Sequence, residues 1–162
     1  MATDQEKAPD SLGKLLQGMA AAAQLLNTAT EKRSAFEAIV LQSNLIDGTL
    51  RVGLVLKFQL DSGTGTIKET FLIPKDSETE KSIYQRCLDK KIIDQSLFKK
   101  LSQAHDKWNQ CIHRFLLSDV DYDYASHLVF ELDELLNSVK AVVGKLEEQQ
   151  LEKGVGMTTR GH

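Results

Sequence analysis

Apolar residues recur at steps of three and four along most of this chain, and the places where that rhythm stops divide it into elements. Leu12, Leu15, Leu16, Met19, Ala22 and Leu25 form the first stripe, which predicts a helix over about residues 11 to 28 with Ser11 at its cap. After Thr30 the spacing resumes through Phe36, Ile39, Val40, Leu45, Ile46, Leu50, Leu54 and Leu56. It lasts roughly eight turns and predicts a long helix at the heart of the core. Between Asp61 and Thr79 the rhythm is lost. The stretch DSGTGTIKETFLIPKDSET has glycines, a proline and β-branched residues, and predicts an ordered loop or short hairpin. Ser77 precedes a third helical stretch, ETEKSIYQRCLDKK, with Ile83, Tyr84, Cys87 and Leu88 inward. Asp94 or Ser96 opens a fourth, which runs to about Leu117. Past the turn SDVDYDYA, a near-heptad stripe of Leu128, Leu132, Leu135, Val139, Val142 and Leu146 marks a last helix from Tyr122 to Glu152. Such a stripe packs within a bundle or between chains. The expectation is an all-α bundle of about five helices with one ordered loop or short hairpin insertion. One helical domain, residues 11–152, lies between flexible ends at 1–10 and 153–162.

Composition supports that picture. The chain has 162 residues, enough for one substantial core, and Leu, Lys, Glu, Gln and Ala favour helix. The net charge of −3 gives no general attraction to nucleic acid, so any RNA contact would be local, and no DNA binding is expected. The opening MATDQEKAPD lacks the apolar core of a signal peptide, and no apolar run is read as membrane-spanning. The reading is a cytoplasmic protein without membrane contact. Cys87 and Cys111 have no second Cys or His at metal-ligand spacing and read as reduced structural thiols, so no metal or other cofactor is expected.

Two polar lines interrupt the apolar faces. In the second helix Asn44, Asp47 and Arg51 stack on one side, where Asp47 and Arg51 can pair as an exposed salt bridge or as a partly buried line beneath a site. In the fourth, with ~100° per residue, Leu101, Ala104, Trp108, Ile112 and Phe115 share the apolar face. His105, Asn109 and His113 slant along its flank at successive steps of four. Two histidines two turns apart are poorly spaced for a metal, which wants a step of four. A histidine at a core boundary is more often structural than catalytic.

These residues carry a resemblance. The segment LDKKIIDQSLFKKLSQAHDKWNQCIHRF, with a turn leading into a helix of the form basic, Asn, three residues, His, resembles the HEPN superfamily of helical bundles. AFEAIVLQSNLIDGTLRVGLVL is similar to that family's second core helix. The resemblance spans roughly residues 30 to 148 and is specific around Gln103 to Phe115. It implies a homodimer whose motif helices face each other across a cleft, and a setting such as a toxin–antitoxin or phage-defence system. In its active members it also implies metal-independent RNase chemistry by an Arg and a His with four to six residues between them. Matching Asn109 and His113 to that motif puts Trp108 where the Arg belongs. An indole cannot stabilise the charge of a phosphoryl transition state, and losing such a group typically costs on the order of a hundredfold to a thousandfold in rate. The resemblance therefore implies a non-catalytic domain that binds RNA, a nucleotide or a protein partner beside Asn109, His113, His105, Asp47, Arg51 and Asn44. The alternatives are an endoribonuclease using His113 with Lys107 or Arg114 as its cation, and a helical dimerisation module without nuclease ancestry.

Overall fold

The computed structural model describes residues 4–72, 78–117 and 120–156. Five helices form the bundle: α1 (Asp4–Glu31), α2 (Ala35–Ser62), α3 (Glu80–Asp89), α4 (Gln95–His113) and α5 (Tyr122–Lys153). Short 3-10 turns lie at Glu69–Phe71 and Phe115–Leu117, and no strand occurs among the described residues. The described part of the insertion is thus loop and a 3-10 turn, without a strand. It is held down by Leu72, which is buried with Leu12 and Val55, and by Ser11 Oγ donating to Glu69 Oε1 at 3.3 Å.

Local chemistry sets the boundaries. α1 begins at Asp4, earlier than the apolar stripe starts, because its first turns carry polar residues that leave no stripe to read. Arg33, at φ 55°, makes the turn into α2, which therefore starts at Ala35 and not directly after Thr30. Gly63 closes α2 in the left-handed conformation that favours glycine (φ 66°). α3 is capped by Thr79, whose side chain accepts from the Ser82 amide while Ser82 Oγ accepts from the Thr79 amide. Ser77, which precedes this helix in the sequence, lies outside the described residues. Of the two candidates for the start of α4, Asp94 is the cap, its carboxylate accepting from the Leu97 amide at 2.8 Å. α4 stops at His113, and the chain continues to Leu117 as a 3-10 turn.

α2 is the central element, packed against α5 along one side and α1 along another, with α3 closing a third. By length and composition alone α2 is apolar enough to cross a membrane. Here its apolar residues are the core: Ile39, Ile46, Leu50 and Leu54 are almost wholly buried, meeting Leu128, Leu136 and Val139 of α5. Gly53 lets the two helices close up, since a Cβ there would lie 3.0 Å from Val143 Cγ2. Polar clasps hold both ends of this seam. Gln42 Nε2 donates to the Val129 carbonyl at 3.0 Å, and Gln150 Nε2 donates to Gln59 Oε1 at 2.7 Å.

Candidate functional site

The two polar lines of the sequence meet across the start of α3. On α2, Arg51 is 5% exposed, and its guanidinium donates in three directions. Nε donates to Asp47 Oδ2 at 2.8 Å, Nη1 to the Phe71 carbonyl at 3.1 Å and Nη2 to Glu78 Oε2 at 3.1 Å. Glu78 also accepts from Arg86 Nη1 at 2.7 Å. One buried cation therefore ties α2, the loop and the entrance of α3 together. Of the two forms open to the Asp47 and Arg51 pair, the buried one holds. Asn44 does not join it, being exposed one turn earlier.

Burial dominates the electrostatics of this cluster. Desolvation raises the Asp47 carboxyl above its ordinary value, against the hydrogen bond and charge of Arg51, and Glu80 and Glu78 push the same way as burial. Asp47 Oδ1 is buried with no hydrogen-bond partner among the described residues. For Arg51 burial is the largest influence and pulls the pKa down, but Asp47 and Glu78 together outweigh it and leave the guanidinium more firmly protonated. Burial likewise raises the Tyr84 hydroxyl, with Glu80 and Asp47 adding to it, and pushes the Cys87 thiol up to about 12.

Glu80 leads on to α4. Its Oε2 lies 3.3 Å from His105 Nε2, and His105 Nδ1 lies 3.1 Å from Asn109 Nδ2. The Asn109 amide nitrogen can only donate, so Nδ1 accepts, the proton sits on Nε2, and Nε2–H donates to Glu80. His105 is thus held in one tautomer between α3 and its own helix. The Tyr84 ring meets it edge-on at 6.3 Å, and the Trp108 ring lies 5.5 Å away.

Trp108 packs against the core as its helical angle requires, and its Nε1 is buried without a partner among the described residues. Beyond it His113 is exposed and meets the indole edge-on at 5.4 Å. Lys107 Nζ bonds Glu131 Oε2 on α5 at 2.6 Å. Arg114, the C-cap of α4, is exposed. The Phe115 side chain, read as part of the apolar face, lies outside the described residues.

The head of α3 therefore joins the two lines, Glu78 bonding Arg51 and Glu80 lying against His105, while His113 and Arg114 close α4 one turn beyond Asn109. The fold adds Glu78, Glu80 and Arg86, which the sequence reading missed. The signal was the charged run ETEK at the head of α3, legible only as a helix start. Among the described residues no group of three or more His, Cys, Asp or Glu is placed to hold a metal. No family model, curated protein or solved structure matches the chain.

Proposed function

We propose that this chain is a non-catalytic helical binding domain of HEPN-like type, pairing with a second copy at the end of α4 and recruiting a protein partner there. The observation that carries it is the state of the groups a nuclease would use. Trp108 fills the cation's position with packed indole, and Lys107 is neutralised by Glu131. The surface beside His113 supports protein over RNA. Leu116 and Leu117 are each 91% exposed next to His113 and Arg114, and adjacent bare leucines suit an apolar contact better than a phosphate backbone. In this arrangement the leucines of two copies cover each other where the resemblance puts the motif helices face to face.

The competing reading is a metal-independent endoribonuclease. Arg114 supports it, being an exposed cation next to His113; Lys107 does not. Incubation of the purified chain with total cellular RNA separates the two. The binding reading expects no cleavage by the native chain, whereas cleavage that disappears in His113→Ala would establish the nuclease. Light scattering at micromolar concentration tests the pairing: a dimer that becomes a monomer in Leu116→Asp/Leu117→Asp supports it, and a native monomer overturns it.

A further inference from the structure

At the opposite end of α2 from its N-terminus, a groove of about 330 Å³ opens between the last turns of that helix, the loop and the turn after α3. Its floor is apolar, made by Leu54, Phe58 and Phe71, and its rim carries Lys57, Lys68, Lys90 and Asp61. The two rings lie 6.1 Å apart at 59°, forming a bent aromatic wall. Lys57 and Asp61 neutralise each other at 2.8 Å. Lys68 Nζ sits 4.3 Å over the Phe58 ring, held there by its attraction to the π face. Neither Lys68 nor Lys90 has a carboxylate at ion-pair distance among the described residues. Two cations without an ion-pair partner among the described residues thus line a groove with an apolar floor, in a chain whose net charge is −3.

We infer that this groove binds a small organic anion with a flat apolar body, the body lying against Phe58 and Phe71 and the anionic head between Lys68 and Lys90. Its size falls at the lower end of small-ligand pockets, roughly 300 to 1,000 Å³, and such pockets combine an apolar lining with a few placed charges. The aromatic wall is preorganised, because the Phe71 carbonyl is pinned by Arg51 at 3.1 Å and the Arg86 guanidinium lies 5.8 Å from the Phe71 ring centre. The site is formed by α2, the loop and the turn after α3, so it stands whether or not the end of α4 binds a partner.

Phenyl phosphate is the probe, with inorganic phosphate and phenol as the half-ligands, titrated into the full chain and followed by amide chemical shifts. Phenyl phosphate is expected to saturate, with shifts centred on residues 57–71 and 90, and to bind at least about tenfold more tightly than either half-ligand. Lys68→Ala and Lys90→Ala, both at exposed positions, should each weaken binding by about tenfold, the usual worth of one charge-assisted hydrogen bond. Phe58→Leu should reduce the preference for phenyl phosphate over inorganic phosphate while circular dichroism shows the helices intact. The inference is overturned by the absence of saturable shifts at millimolar phenyl phosphate. It is equally overturned if the Lys68→Ala/Lys90→Ala pair binds unchanged or if inorganic phosphate alone binds as tightly.

Discussion

Replacing Arg51 by Met keeps most of the side chain's volume and removes its charge. The structure shows what that strands. Asp47 loses its hydrogen bond at 2.8 Å, its other oxygen having no partner among the described residues, while Glu78 keeps Arg86 at 2.7 Å. Removing one member of a buried ion pair costs about 3–5 kcal/mol, because the remaining charge stays desolvated. The Asp47 side chain retains 24% of its exposure and Glu78 retains a cation, which places the expected loss at the low end, about 3 kcal/mol. In a chain of this length that lowers the midpoint of thermal unfolding by roughly 6–12 °C. Urea denaturation followed by far-UV circular dichroism measures it directly.

The pH dependence gives a second handle on the same substitution. The folded Asp47 holds its proton more tightly than the unfolded chain does, its pKa being raised from 3.8. The folded state thus binds more protons in the window just above that value. The contribution of Asp47 is most favourable below it and declines as pH rises through the folded pKa. Without Arg51 the influences that hold the carboxyl down are gone, so the decline should extend to higher pH. The deficit of Arg51→Met should then be greatest at neutral pH and shrink on acidification, and Asp47→Asn in the same background should recover part of it. A deficit below about 1 kcal/mol, or one that neither changes with pH nor responds to Asp47→Asn, would refute the buried clamp.

Glycines along the helices should split by their surroundings. Gly53→Ala puts a Cβ 3.0 Å from Val143 Cγ2 and should lower stability by about 1 kcal/mol, whereas Gly144→Ala, with nothing within 4 Å, should raise it by up to about 1 kcal/mol. Denaturant midpoints of the two variants check both signs. Cys87 and Cys111 are buried, and burial raises both thiols. Near neutral pH neither should react with an aromatic disulfide reagent in the folded chain, and both should react in urea; fast native labelling of Cys87 would contradict its placement.

Period-three-and-four patterning was enough to locate α4 and α5, because each has one apolar face against the bundle and one wet face. The start of α4 was narrowed only to Asp94 or Ser96, while the end of α2 near Asp61 was legible for equally local reasons. The turn at Arg33 was not, since no glycine or proline marks it and the positive φ falls on a long charged side chain. The site was half visible. Asp47 and Arg51, like His105 and Asn109, announce themselves by a step of four along one helix. That Glu78 and Glu80 would bridge the pairs depends on how α3 docks between α2 and α4, and no spacing within one helix encodes that docking.

The glutamine clasps at the two ends of the α2 and α5 seam bear on how this domain can move. Apolar ridges tolerate sliding, because one leucine is nearly as good a neighbour as the next. A one-turn slip of α5 along α2 would leave the amides of Gln42 and Gln150 buried away from their acceptors, and Gln59 Oε1 without its donor, at about 1–3 kcal/mol for each stranded group. The central pair is thereby locked in register and behaves as a rigid strut. Any change of shape that accompanies binding falls to the elements hung upon it: the loop after α2, the short α3, and the tip of α4.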